Sequence, residues 1–271
     1  MDCGEGTQMQ LMRYNCNLHR INHIFISHLH GDHYLGLVGL IFTMHLNHRT
    51  NDLHLYSHRG LGDIITTQFR YSLSAPRFNI ILHTLTPEKQ EVIFENPHLT
   101  VTTIPLNHKL DCSGFLFREK PKPRRIDKDS IPAELSLQQL ASLKTGADIL
   151  DEHGTIRYRN QDLTHAPRKS RSYAYCSDTA FDEDLVNIVG QVDVLYHETT
   201  FMEQEKDKAT ETKHSTALQA AEIASRAGVG KLIIGHFSAR YKELEPLLNE
   251  ASVRFINTEL ALEGHTFTIE E

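Results

Sequence analysis

An α/β fold, with helices layered on sheet, is expected for this chain of 271 residues on three observations. Short β-branched apolar runs alternate with stretches of helical spacing in both halves. Several of those runs end on histidine or aspartate, at the strand ends where α/β folds place their sites. The composition, 39% hydrophobic and 23% charged, is that of a globular domain long enough to bury a core.

Taken in order, Ile24–Ile26, Leu53–Tyr56, Asn79–Leu82 and Leu99–Ile104 read as strands, as do Ser172–Cys176, Val192–Tyr196, Lys231–Ile234 and Val253–Ile256. Leu35–Met44 and Gly60–Phe69 carry helical patterns. So does Ser215–Ala227, with apolar residues at Ala217, Leu218, Ala221, Ile223 and Ala224 and Gly228 where a C-terminal cap belongs. Tyr241–Glu250 reads as a further helix. From Arg118 to Arg171 the rhythm is lost apart from a short helix at Leu135–Leu143 and a turn at Glu152–Gly154. Both ends of this segment are basic, although 28 Lys and Arg against 35 Asp and Glu give the chain a net charge of −7. An all-over basic coat for nucleic acid is thereby excluded, so a polyanion partner needs a local patch.

No apolar run reaches the length of a bilayer span, and no charged n-region followed by an apolar core opens the chain, so secretion is not expected. The four cysteines are far apart with no C-x-x-C pair, which fits a reducing compartment and argues against disulfides and cysteine-zinc knuckles. Histidine is abundant, at 18 residues. His19, His23, His45, His48, His54 and His58 are scattered and read as surface or core histidines. His28, His30, Asp32 and His33 are different, because four metal-ligating side chains crowd one loop directly after a strand. Imidazole with carboxylate and no cysteine suits zinc and also admits manganese or iron. His108, Asp178 and His236 each close a later predicted strand. The sum is seven ligands, enough for a two-metal centre with ions about 3.5–4 Å apart. His197-Glu-Thr-Thr-Phe201 follows another strand, and Glu198 is placed to orient a histidine, with His214 the candidate, for proton transfer.

Asp2-Cys-Gly-Glu-Gly-Thr-Gln8, His28-Leu-His-Gly-Asp-His33 and Tyr175-Cys-Ser-Asp-Thr179 resemble ribonuclease Z, the tRNA 3′-processing endonuclease of the metallo-β-lactamase superfamily. So do His197-Glu-Thr-Thr-Phe201, His214-Ser-Thr216 and Gly235-His-Phe-Ser-Ala-Arg-Tyr241. The resemblance implies a single αββα sandwich over residues 1–271 with a protruding arm at 119–171, and an N-terminus shortened by one or two strands, since Met1 directly precedes the first motif. It implies two Zn2+ per subunit, one held by His28, His30 and His108, the other by Asp32, His33 and His236, with Asp178 bridging. Asp32 would also position the attacking water and accept its proton, and Glu198 with His214 would protonate or steady the leaving 3′-oxygen. Arg240 is a candidate phosphate clamp. Lys120, Lys122, Arg124 and Arg125 are candidate contacts to the tRNA body. The arm differs from many relatives in lacking a Gly-Pro-rich tip. A cytoplasmic homodimer acting on precursor tRNA is the expectation. A metal-dependent hydrolase of small phosphodiesters or related esters, and a weakly active tRNA-binding homologue, are the alternatives.

Overall fold

The computed structural model describes residues 1–72 and 75–270. The chain opens with helix α1 (Thr7–Arg13), followed by strand β1 (His23–Phe25), a single turn α2 (Gly31–Tyr34) and α3 (Gly36–Leu46). Strand β2 (Leu53–Ser57), helix α4 (Leu61–Ser72) and strand β3 (Ile80–Thr84) complete a parallel three-stranded sheet in the order β1-β2-β3. Then come β4 (Val92–Glu95), β5 (Leu99–Leu106) and β6 (Cys112–Glu119), an antiparallel meander.

The segment that follows is not irregular. Strand β7 (Arg125–Ile126), helix α5 (Leu137–Lys144), β8 (Ile149–Leu150), β9 (Ile156–Tyr158), α6 (Asn160–Leu163) and β10 (Thr164–His165) form two small antiparallel ladders. They pack around their own buried cluster of Leu143, Ile149 and Leu163. Its strands are two or three residues long, too short to carry a period, which is why the sequence pattern fades there. Ser136 and Gln139 close a capping box at the start of α5. The segment is clamped at its base, where Glu119 N–H donates to the Arg171 carbonyl (2.9 Å) and the Arg171 guanidinium meets the Glu119 carboxylate (2.6 Å).

The chain then enters β11 (Ser172–Cys176), α7 (Leu185–Ile188), β12 (Val194–Glu198), α8 (Lys206–Thr212), α9 (Ala217–Ala227), β13 (Lys231–Gly235), α10 (Glu245–Arg254) and β14 (Thr258–Leu260). The larger sheet has seven strands in the order β14-β13-β12-β11-β6-β5-β4. Helix α9 starts on a Thr216–Gln219 capping box and ends on Gly228, whose φ of 62° is the left-handed conformation expected of a C-terminal cap. Val253–Ile256, expected as a strand, is instead the end of α10 and the turn after it. Val253 and Ile256 are both 87% exposed, only Phe255 of the run packs on the core, and pairing begins two residues after Ile256.

Four layers result. Helices α9 and α10 cover one face of the large sheet through Ala220, Ala224, Leu247 and Ala251. Helices α3 and α4 cover the small sheet through Leu37, Leu40, Ile41 and Ile65. Phe25, Tyr56, Leu85, Val101 and Phe115 fill the space between the sheets, giving the α-β-β-α order. Of the scattered histidines, His23 and His54 stack with ring centres 4.8 Å apart, and His54 Nδ1 lies 3.0 Å from His83 Nε2 across β1–β3. His58 is buried on the Ser113 hydroxyl (3.1 Å).

Topology explains why distant residues meet. β11, β12 and β13 are mutually parallel, and β5 shares their direction because both β5 and β11 run antiparallel to β6. Their C-terminal ends therefore lie along one rim, where His108, Asp178, Glu198 and His236 are found.

Candidate metal centre

The loop from His28 to His33 leaves β1 and faces that rim. His28 is fully buried and His33 nearly so, while Asp32 is exposed. Three imidazole nitrogens converge first: His30 Nδ1 lies 2.9 Å from His28 Nε2 and 3.2 Å from His108 Nε2. A second group forms beside it, with Asp32 Oδ2 at 3.3 Å from His33 Nε2 and 3.5 Å from His236 Nε2. Asp178 stands between them. Its Oδ2 is 3.6 Å from His28 Nε2 and 3.8 Å from His108 Nε2, and its Oδ1 is 3.5 Å from His33 Nε2 and 3.3 Å from His236 Nε2. One carboxylate thus turns one oxygen toward each group. All seven residues expected as ligands come together.

The arrangement fits divalent cations. In each of the two groups the candidate ligand atoms lie within 4.8 Å of one another. His33 Nε2 and Asp178 Oδ1 are buried yet make no hydrogen bond, a cost tolerated where a cation satisfies both. The outer nitrogens are fixed by partners that leave the inner ones for a metal. His33 Nδ1–H donates to Asp2 (2.8 Å), His108 Nδ1–H to the Lys213 carbonyl (2.9 Å), and His236 Nδ1–H to the Thr200 hydroxyl (2.9 Å). Lys213 and His236 both adopt left-handed backbone (φ 57° and 60°), a conformation that non-glycine residues keep where the surroundings impose it.

The protein's own charges alone would draw protons into the cluster. Burial works to lower the His33 pKa, but the Asp178 and Asp2 carboxylates outweigh it and raise it to about 10. His236 is likewise raised, the Asp32 and Asp178 carboxylates outweighing its burial. Burial lowers His28 to about 3 and also lowers His108. The hydrogen bond from His236 brings Asp32 down to about 2. Burial would raise Asp178, yet the surrounding imidazoles hold it below its ordinary range. Cations binding here take the place of those protons. Zinc uptake by chelated protein at pH 7 is therefore expected to release protons. Calorimetry in buffers of differing ionisation enthalpy measures this, and no buffer dependence would refute it.

Glu198 is fully buried beside the cluster. Its Oε1 accepts from His214 Nδ1–H (2.9 Å) and Ser215 N–H (2.9 Å), and its Oε2 from Thr200 N–H and the Thr200 hydroxyl (both 2.8 Å). His214 Nδ1, although 4.0 Å from Asp178, is thus turned to Glu198 rather than to a metal position. Arg240 lies over the Phe201 ring at 5.0 Å and pairs with Glu205 (2.7 Å), while Phe201 stands 6.1 Å from the His214 ring. The arm cations are engaged elsewhere. Lys120 pairs with Glu95 and Lys122 with Glu119. Arg124 donates to the Thr164 hydroxyl and Arg125 to the Ala166 carbonyl. These four belong to the arm and its base, not to the metal rim.

Sequence reasoning gave no role to Asp2, Thr200 or the Lys213 carbonyl. The first motif also supplies packing: a Cβ on Gly4 would lie 2.1 Å from the Asp32 carbonyl oxygen. Gly4→Ala is expected to displace the metal loop, costing about 1–3 kcal/mol of stability and weakening metal uptake. Thermal unfolding with and without zinc measures this, and an unchanged midpoint in both would refute it.

This layered fold with its histidine-aspartate rim defines the metallo-β-lactamase class, a protein built to bind metal. The metallo-β-lactamase fold protein YhfI from Bacillus subtilis superposes with a TM-score of 0.63 at 19% identity, covering 97% of this chain and 83% of its own. Within that class the chain belongs to the ribonuclease Z family. Ribonuclease Z of Cytophaga hutchinsonii is 48% identical over the whole chain and 87% of its own length. Ribonuclease Z of Bacteroides fragilis is 46% identical over 97% of the chain and 87% of its own. Human tRNase Z, short form, superposes with a TM-score of 0.70 at 25% identity, covering all of this chain and 87% of that one. A family model described as anti-Pycsar protein Apyc1 matches residues 1–121, a part that holds the His28–His33 loop and His108 but neither Asp178 nor His236.

Proposed function

We infer that this chain is an endoribonuclease that removes the 3′ trailer from precursor tRNA, leaving a 3′-hydroxyl tRNA and a 5′-phosphorylated trailer. The observation that carries this reading is the two-sided placement of Asp178 between two ligand groups, in a chain 48% identical to a ribonuclease Z. His28, His30 and His108 with Asp178 Oδ2 would hold one Zn2+, and Asp32, His33 and His236 with Asp178 Oδ1 the second. When bound, such ions supply the Lewis acidity that activates water and offsets charge on the phosphorane. Asp32, more exposed than the other ligands and held ionised by His236, orients the attacking water and takes its proton. Glu198 fixes the His214 ring through Nδ1, which leaves the other ring nitrogen free to serve the leaving 3′-oxygen. Arg240, set on Phe201 near His214, is placed to clamp a phosphate.

The test is cleavage of a precursor tRNA with a defined trailer, before and after chelation. Product ending at the mature 3′ end, lost with chelator and restored by zinc, is the expected outcome. Undiminished cleavage by the chelated protein would overturn it.

The arm holds the body of the substrate, supported by its separate core and clamped base. Replacing residues 121–169 by a short glycine-serine linker is expected to lower kcat/KM on precursor tRNA by about a hundredfold or more, since each lost phosphate contact weakens binding. Turnover of bis(p-nitrophenyl) phosphate should change little. Equal losses on both substrates, or undiminished cleavage of tRNA, would exclude this role. The enzyme is expected to act as a cytoplasmic homodimer. Among the described residues no helix is long and apolar enough to cross a membrane.

A further inference from the structure

The opening motif holds a charged side chain, Asp2, to which the reaction gives no role. The Asp2 carboxylate has a side-chain exposure of 12%. Its Oδ2 accepts from His33 Nδ1–H (2.8 Å), the Tyr175 hydroxyl (2.7 Å) and the Ser27 hydroxyl (2.9 Å), and its Oδ1 accepts from Ser27 N–H (2.7 Å). The Ser27 oxygen is in turn 3.0 Å from His28 Nδ1. A serine hydroxyl has one proton to give. With that proton on Asp2, its oxygen accepts the proton of His28 Nδ1. Ser177, 3.1 Å from Ser27 and 3.4 Å from Asp2, returns to the same carboxylate.

One carboxylate therefore orients His33 directly and His28 through a single hydroxyl, and these two imidazoles belong to opposite halves of the cluster. The backbone reinforces this. Asp2 adopts a left-handed φ of 47°, held by hydrogen bonds from Asp2 N–H to the Phe25 carbonyl and from Cys3 N–H to the His33 carbonyl, both 2.7 Å. A strained aspartate retained at such a position points to a constraint beyond packing.

We propose that Asp2 is a positioning residue shared by the two metal positions, anchoring one imidazole of each so that loading one ion pre-orients the other. This rests on the two-ion reading above. Partners of ligating histidines raise ligand basicity and fix the ring, and losing one typically costs 10–100-fold in metal affinity. The Asp2 carboxylate serves two rings, so its removal acts on both ions, whereas removal of the Ser27 hydroxyl acts on one.

The experiment is zinc titration of the chelated full chain against a chromophoric chelator, with thermal unfolding of the chelated protein as a parallel measurement. Wild type is expected to take up two ions, the second aided by the first. Asp2→Asn should weaken both by about 10–100-fold and abolish the coupling. Ser27→Ala should weaken one ion by a similar factor and spare the other. A wild type that binds fewer than two ions overturns the two-ion reading itself. With two ions in wild type, an Asp2→Asn chain that loosens one ion only, or loses stability with both affinities intact, overturns the shared anchor. Should Asp2→Asn fail to fold, Ser27→Ala alone decides: weakening of one ion supports the shared anchor, while both or neither weakened overturns it.

Discussion

Asp178→Asn is expected to lower cleavage of precursor tRNA by about a thousandfold or more, a loss of roughly 4 kcal/mol of transition-state stabilisation, and to reduce bound metal at both positions. Asp178 faces four ring nitrogens from two sides, at 3.3 to 3.8 Å. An amide of the same shape offers an acceptor to one side only and N–H groups to the other. One half of the cluster then loses a ligand and meets a donor in its place, and the other keeps a neutral oxygen where a carboxylate stood. Elemental analysis of bound zinc together with single-turnover cleavage measures both parts. Retention of two ions with activity within tenfold of wild type would mean that Asp178 does not bridge. The same substitution removes one of the two carboxylates that raise His33, so the proton release accompanying zinc uptake at pH 7 should shrink as well.

Much of the candidate metal centre was legible because its candidate ligands obey a rule of place as well as of type. His28, His30, Asp32 and His33 crowd one loop, and His108, Asp178 and His236 each close an apolar run. The parallel order of β5, β11, β12 and β13 then converts a pattern along the chain into one rim in space. The supports were less visible, for a physical reason. The Lys213 carbonyl is a backbone group and has no sequence signature. Thr200 acts through one hydroxyl shared between Glu198 and His236, and threonine is common at strand ends. Asp2 sits 26 residues before His28, and only tertiary hydrogen bonds, to Phe25, Ser27, His33 and Tyr175, bring it to the site. The missed strands β4 and β6 have a different cause. Val92–Glu95 is a short edge strand, while Cys112–Glu119 is buried through Leu116 with Gly114 and Ser113 breaking the alternation. The arm shows the limit of composition. Its basic ends read as free phosphate contacts, yet Lys120, Lys122, Arg124 and Arg125 all have partners within the protein. Carboxylates offset the charge of Lys120 and Lys122, while Arg124 and Arg125 bond neutral oxygens, so any grip on RNA must compete with these contacts.

His214→Asn is expected to slow precursor cleavage by about 10²–10⁴-fold, the usual worth of a positioned proton-transfer group, while both zinc ions stay bound, because the His214 ring is turned to Glu198 and not to the metal positions. The loss depends on the leaving group. A ribose 3′-oxygen is a poor one and needs a proton as the bond breaks, whereas p-nitrophenolate departs without help, so the same variant should hydrolyse bis(p-nitrophenyl) phosphate at close to the wild-type rate. Arm replacement should also spare the small diester, but through binding rather than through chemistry, with its loss shown in KM as well as in kcat. Glu198→Gln separates orientation from proton transfer. Glu198 accepts five hydrogen bonds from Thr179, Thr200, His214 and Ser215, and an amide cannot accept them all, so an unpaired buried donor should cost about 1–3 kcal/mol of stability in addition to activity. Measured together, rates on both substrates and the unfolding midpoint distinguish the two residues. Equal slowing of both substrates by His214→Asn would show that this histidine serves the ground state or the metals and not the departing oxygen.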